Sequence, residues 1–422
     1  MRARNAVLAF SLIAHCGYAQ MTIMSNGNAP LTGPNSYRYD DQYNGANGRP
    51  NNGRSTYGDS SETAWASDGT IFQTFGDGSG FSVNNSSTCP KNNMPLGWFT
   101  GTYPYLNGVN INCMSNFGTW GQTNIGLCGT VTGSWKPAGL ISINDRQTIG
   151  AGPHSWYLIV TCATTSIPFY STYPTLLYSP DDGVTWCAPG HTGAQCSTAG
   201  DVPSVAQFTS TKVRIIRFVQ YEQGDTGTAT IDQHNLYVYA FAAGNPGGYS
   251  LYLMRAARGS NLQCGPNNAS ALSCTNPWQF YTGAVGGDIT NNSNWNSSDA
   301  SATVILPPNV NDGSYRYIPG LNYIKTDTAS QNYDMAYYAT KTLTGPWTKM
   351  YYEPPNATYL YGFPAMDLSS ITVTSTNPFQ ATGWVGYTGS YLCQTDDPTT
   401  NCYSQFWRKA TISATPGGWQ IQ

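Results

Sequence analysis

Strand-like runs recur from about residue 57 to the end of the chain, and no segment holds a helical period. The clearest runs are TIFQTFGD (70–77), SWYLIVTC (155–162), NLYVYAFA (235–242), YDMAYYAT (333–340) and TGWVGYTG (382–389). Each is rich in β-branched or aromatic residues and bounded by Gly, Asn, Asp or Pro. A partner strand follows several of them, as in PTLLYS, YSLYLMRAA and QFWRKATIS. A third element often ends in Trp or Tyr, as in GVTW, NPWQFYTG and GPWTKMYY. Buried strand, partner strand, aromatic outer strand is the grammar of a propeller blade. The expectation is an all-β chain folded as a five-bladed β-propeller with disulfide-stapled loops. A further blade within 90–135 or 280–320 would raise the count to six or seven. Unequal spacing excludes a WD-type array, and a two-sheet sandwich with long loops is the alternative.

Composition agrees with strands and turns. The chain is 13% aromatic and 10% charged, with 45 Gly and 26 Pro, and its Glu residues are Glu62, Glu222 and Glu353. Arg2 and Arg4 precede the short apolar stretch VLAFSLIA, and small residues Gly17 and Ala19 follow. That pattern predicts a signal peptide over 1–19 with the mature chain starting at Gln20, an irregular arm over 20–56, and one catalytic propeller domain over 57–422. No apolar run is long enough for a membrane span, so a secreted, extracellular monomer is expected. Acidic residues outnumber basic ones 22 to 19, which argues against nucleic acid as a partner.

Cys16 falls in the predicted leader, and ten of the 11 Cys remain. An even number in an oxidising compartment reads as disulfides rather than metal ligands. Cys187 with Cys196, Cys264 with Cys274 and Cys393 with Cys402 can staple local loops. The pairing of Cys89, Cys113, Cys128 and Cys162 is left open. Glycosylation motifs stand at Asn84, Asn85, Asn268, Asn291, Asn296 and Asn356.

SPDDGVTW (179–186) resembles the Asp-box turns of sialidases and related propeller glycosidases. Asp181 can accept N–H groups of the turn, Gly183 permits its tight backbone, and Trp186 packs between strands. Asp181 and Asp182 are therefore read as structural. A different pair draws a catalytic reading. YGDSSETAWASDGTIFQTFGDG (57–78) contains Gly-Asp twice, with Asp59 before a strand-like run and Asp77 after it. Paired carboxyl groups cut glycosidic bonds, one protonating the leaving oxygen and the other acting as base or nucleophile. Gly-Asp is also ordinary turn chemistry.

The segments GDSSETAWASDGTIFQTFGDG, LYSPDDGVTW, NLYVYAFAAGNPGGYSLYLMRAA and GPWTKMYY, in this order, resemble a large group of secreted microbial propellers that includes endo-D-arabinanases. Their wider relatives are five-bladed arabinanase and xylosidase-like hydrolases. The resemblance spans about 55–413. It implies that Asp77 and Asp59 are the catalytic pair, since both keep the Gly-Asp context 18 residues apart. Long loops and extra Cys depart from the bacterial pattern and bear on the substrate.

Further candidates come from the residues alone. Asp232 and His234 precede what reads as the third inner strand, where Asp232 would assist catalysis and His234 would meet substrate. Glu222 is a third acid for substrate binding, and Arg255 either binds a substrate carboxylate or pairs internally with an Asp. Glu62 reads as a solvated or turn residue, and Glu353, before two prolines, as loop. His154 and His191 lack metal-ligand spacing. No nucleotide loop, serine-hydrolase elbow or zinc signature is present, so neither cofactor nor metal is expected. The leading reading is a hydrolase of an arabinan-like or other cell-wall polysaccharide. Its rivals are a polysaccharide lyase led by His234 and Arg255, and a non-catalytic sugar-binding propeller.

Overall fold

The computed structural model describes residues 19–23, 36–38, 56–59, 62–81, 89, 94–102, 105–118, 125–130, 133–145, 147–152, 154–164, 171–245, 250–306, 313–328, 335–353, 365–376, 379–389 and 404–414. The predicted leader up to residue 18, Asn84, Asn85, Asn356 and the Cys393/Cys402 pair lie outside them. Among the described residues there is no α-helix, only short 3-10 turns between strands.

The described strands form sheets of five, three, ten, two and four strands. These make five units when the ten-stranded sheet is divided at its parallel link and the two-stranded sheet is joined to the four-stranded one. The first contains Thr63–Trp65, Ile71–Thr74, Leu96–Thr102 and Tyr105–Asn112, and is lengthened by Thr56–Asp59 paired with Gly76–Phe81. The second contains Gly133–Ser142, Trp156–Thr164 and Ser171–Ser179. The third runs Ile215–Gln220, Tyr237–Gly244, Ser250–Ala257, Trp278–Tyr281, with Trp295–Asn296 outermost. The fourth runs Tyr315–Ile318, Asn322–Thr328, Met335–Thr340, Thr348–Glu353. The fifth runs Ala365–Thr376, Phe379–Gly389, Ser404–Ala414, and receives Ala19–Ile23 and Ser36–Arg38 on its last strand. Part of the expected irregular arm is thus strand. Among the described residues, the strands of the third and fourth units pair through a short parallel link, Val219 with Tyr315 and Gln220 with Arg316, and no sheet closes on itself.

The first strands of the five units neighbour one another in a cycle, each beside the next and the fifth beside the first. Apolar layers fill the spaces between consecutive units. Ile159 and Leu176 meet Phe218, Ala240 and Met254 between the second and third. Phe72 and Leu96 meet Leu158 and Leu177 between the first and second. Tyr239, Phe241 and Leu253 meet Tyr315 and Tyr323 between the third and fourth, and Ile324 and Tyr337 meet Met366 and Val385 between the fourth and fifth. Gly139 shows how close the central strands come: a Cβ there would lie 2.7 Å from the Ile216 carbonyl oxygen.

The five apolar runs picked out by sequence are all strands, but none is the innermost of its unit. Four are second strands, and Met335–Thr340 is a third strand. The innermost strands include YRYI and GSWKPAGLIS, which carry charge, Gly or Pro and so read weakly as buried strands.

The SPDDGVTW turn closes as its residues predict. Asp181 accepts the Thr185 N–H and hydroxyl, both at 2.8 Å, and Ser179 Oγ accepts the Gly183 N–H at 2.9 Å. Gly183 has φ of 77° and Trp186 is fully buried. Cys187–Cys196 and Cys264–Cys274 are bonded as expected, and the open set resolves into Cys89–Cys113 and Cys128–Cys162. No described helix is long and apolar enough to cross a membrane.

Candidate functional site

At the centre of the cycle stands Glu62, which is buried rather than solvated. Its Oε1 accepts from Arg316 Nη2 at 2.8 Å and its Oε2 from Arg217 Nη1 at 3.3 Å. Arg316 also donates to the carbonyls of Thr63 at 2.9 Å and Met366 at 2.7 Å, and Arg217 to the carbonyl of Ala138. Gln220 Nε2 reaches the Thr63 carbonyl at 2.5 Å and the Leu140 carbonyl at 3.1 Å. Every unit therefore contributes a group to one buried polar knot. Buried charge persists only when paired and hydrogen-bonded. Sequence reading missed this knot. Its signal was an arginine inside an otherwise apolar run, in IIRFVQ, and another inside the aromatic YRYI.

The same bonds fix direction. Arg217 lies by Glu62 and Ala138, Gln220 by Thr63 and Leu140, and further on Gln223 bonds the Ser67 carbonyl while Asn144 N–H bonds that of Gly224. The first strands of units one to three run the same way, and the parallel link adds the fourth. In these four units each connection from a first to a second strand consequently falls on one downstream face. Segments leading into the first strands, and the far ends of second strands, fall on the opposite, upstream face.

Asp59 and Asp77 belong to the upstream face. They lie on the paired strands Thr56–Asp59 and Gly76–Phe81, with Asp59 opposite Gly76. Tyr57 pairs with Gly80, so Gly58 alone spans Asp77 to Ser79. Asp77 therefore stands in a bulge beside Asp59. Bulges bend a strand and are common beside active sites.

The structure sets the other candidates apart from this pair. Asp232 lies in the connection from the first to the second strand of the third unit, hence on the downstream face. The strand after it is second in its unit, not the axial strand. Its Oδ2 accepts from the Tyr323 hydroxyl, and its carbonyl accepts from the Tyr239 hydroxyl at 2.7 Å. Burial raises its carboxyl above the usual range, against the Tyr323 bond and with help from Asp288. His234 has no exposed surface and stacks on Tyr221 at 3.8 Å between ring centroids. This burial sets it back from the surface that a substrate would meet. Glu222 spends both oxygens on its own loop, on the Thr226 hydroxyl at 2.7 Å and on the Thr228 N–H and hydroxyl at 3.0 and 2.9 Å. Arg255 is buried between the Tyr237 and Trp295 rings and donates to Gln279, Asn292 and the Ile289 carbonyl. Its internal partners are amides and ring faces rather than an Asp.

His234 belongs to a buried network that fastens the downstream face. Asp225 accepts from Arg258 at 2.8 Å and contacts His234 Nε2 at 2.6 Å, while Arg258 also reaches Asp145 at 2.8 Å. Burial by itself raises the Asp225 carboxyl, but the Arg258 charge and the His234 and Arg258 bonds outweigh it and hold it below the usual range. Burial likewise raises Asp145, and its bonds to Thr148, Arg258 and Gln147 bring it lower. A carboxyl depressed by folding contributes stability that is in place above its unfolded pKa and is lost as pH falls through the folded value. Urea midpoints are expected to be level above about pH 5 and to fall below about pH 4. In Arg258→Gln these carboxyls lose the cation that holds them low, so stability near neutral pH should drop and its further fall on acidification should be smaller; a fall as steep as in wild type would show that this network does not set it.

No family profile and no curated protein matches the chain. Solved structures resemble it distantly. A Bacteroides ovatus protein described only provisionally as a hydrolase aligns with a TM-score of 0.48 and 11% identity, over 92% of this chain and 93% of that one. A GH43 protein of Bacillus licheniformis aligns at 0.42 and 8%, over 91% and 60%. An exo-β-1,3-galactanase of Phanerochaete chrysosporium, solved with β-1,3-galactotriose, aligns at 0.39 and 9%, over 85% and 63%. The chain thus spans less than two thirds of the length of these last two structures. Likeness at this level fixes neither activity nor substrate.

Proposed function

We propose that this chain is a secreted, monomeric glycoside hydrolase on a five-bladed propeller, cutting an arabinan-like or related cell-wall polysaccharide with Asp77 and Asp59. The observation that carries the reading is the pairing of Thr56–Asp59 with Gly76–Phe81, which brings two acids 18 residues apart in sequence onto neighbouring strands. The cyclic order of the five first strands supports the propeller, because such a ring gathers the upstream segments of all units around one axis. The buried Glu62 knot supports a rigid mount for the pair, and catalytic groups need positions held within fractions of an ångström. In this reading one carboxyl group protonates the glycosidic oxygen and the other acts on the anomeric carbon, directly or through water.

The burial of His234 and the internal bonds of Arg255 weigh against the lyase alternative, which would need both groups offered to a uronate.

The test is product analysis with purified protein on arabinan, arabinogalactan and pectin. New reducing ends without ultraviolet absorbance of an unsaturated uronide support hydrolysis. Unsaturated products would make the protein a lyase, and binding without any product would leave the sugar-binding alternative.

A further inference from the structure

Asparagine-linked glycans attach through the side-chain amide nitrogen, and the required Asn-x-Ser/Thr motif occurs at Asn268, Asn291 and Asn296 among the described residues. By sequence the three are equivalent. The fold separates them atom by atom.

Asn268 has no exposed surface. Its Oδ1 accepts the Gly265 N–H at 2.7 Å and its Nδ2 donates to the Gln263 carbonyl at 3.0 Å. It sits inside the loop closed by Cys264–Cys274, whose backbone turns on it through Leu272 N–H to the Asn268 carbonyl at 3.0 Å. The nitrogen that would carry a sugar is thus both buried and committed, and close packing leaves no room for a pyranose ring.

Asn291 and Asn296 are exposed. Each uses only its oxygen. Asn291 Oδ1 accepts the Ser293 N–H at 3.0 Å and hydroxyl at 2.8 Å, and Asn296 Oδ1 accepts the Ser298 N–H at 2.8 Å. These are local side-chain turns that leave the other half of the amide available. Among the described residues, neither Nδ2 donates to a protein group. Asn296 ends the strand Trp295–Asn296, the outermost of its sheet, so a glycan there extends away from the packed interior.

We infer that Asn291 and Asn296 carry asparagine-linked glycans and that Asn268, with the same motif, stays bare. The inference rests on the secretory reading of the leader. The bond formed joins Nδ2 to C1 of the first sugar. The bond broken is that from C1 to the pyrophosphate of a lipid-linked oligosaccharide donor. The lipid pyrophosphate leaves, and Nδ2 gives up one proton to a base of the transferring enzyme. Transfer precedes folding, so the fold acts as a filter. A chain modified at Asn268 cannot close its disulfide loop, whereas chains modified at Asn291 and Asn296 fold with the sugars outside. Two glycans beside Trp295 also cover the free edge of the largest sheet, a position that otherwise invites strand pairing with another molecule.

The experiment is site mapping on the full chain secreted by a eukaryotic host. Glycans are removed enzymatically in heavy-oxygen water, which labels each occupied Asn as it becomes Asp, and peptides are read by mass spectrometry. Label at 291 and 296 and none at 268 is the expected result. Asn296→Gln should lose one glycan, while Asn268→Gln should keep its glycan number. Label at Asn268 in protein with an intact Cys264–Cys274 bond, or none at both Asn291 and Asn296, overturns the inference. If the native leader does not direct export, a host leader placed before Gln20 repeats the mapping, so a failed leader reading and a failed site assignment are distinguished.

Discussion

Asp77→Asn is expected to lower polysaccharide turnover on the order of a hundredfold or more, the usual cost of removing an acid or base from a glycosidic site. Stability should scarcely change, because the substitution keeps size and removes only the ionisable group. The rate is read as reducing ends released per enzyme, with the urea midpoint as a check on folding. Asp59→Asn should behave similarly. Asp232→Asn should leave the rate nearly unchanged, since that acid stands on the opposite face of the ring. The three variants together locate the active face. If Asp77→Asn keeps near wild-type turnover, the catalytic assignment fails. If only Asp232→Asn is inactive, chemistry belongs to the downstream face.

Glu62→Ala should destabilise the protein by about 3–5 kcal/mol, the cost of leaving buried cationic partners without their anion. Arg217 and Arg316 both lie against this carboxylate and both are buried. Glu62→Gln keeps the shape and part of the hydrogen bonding, so its loss should be smaller. An exposed pair provides the contrast. His154 and Asp182 meet at 2.8 Å but are 55% and 43% exposed, and Asp182→Asn should cost at most about 1 kcal/mol. Denaturant midpoints read both. A Glu62→Ala protein as stable as wild type would mean that the knot is not what holds the five first strands together.

Strand content and turn chemistry were legible because they are local. β-Branched and aromatic runs, Gly183 in its tight turn and the short-range cysteine pairs all declare themselves within a few residues. Order within each unit was less legible. Apolarity marks strands buried on both faces, and here most of the runs it marks are second strands, such as Trp156–Thr164 and Tyr237–Gly244. The innermost strands trade apolar residues for the arginines, glycine and glutamine of the central knot. Their role depends on neighbours far away in sequence: Arg316 and Glu62 are 254 residues apart. The expectation that Asp232 precedes an axial strand fails for the same reason: Tyr237–Gly244 is apolar but second in its unit. The nearness of Asp59 and Asp77 is by contrast a local matter, since the segment between them folds back on itself and pairs Thr56–Asp59 with Gly76–Phe81.

Ala19–Ile23 lies against the far end of the chain, with Ala19 opposite Ala414 and Ile23 opposite Ala410. That arrangement imposes an order of events during synthesis. The fifth unit cannot receive its outer strand until Ser404–Ala414 has left the ribosome, while the preceding units can already be packing one on another. Ser404–Ala414 then acts as a clasp, and the search that fastens it joins segments far apart in sequence, the slowest kind of contact to form. Trimming a few residues from either partner strand should loosen the outer edge of the fifth unit before it disturbs the first strands at the centre.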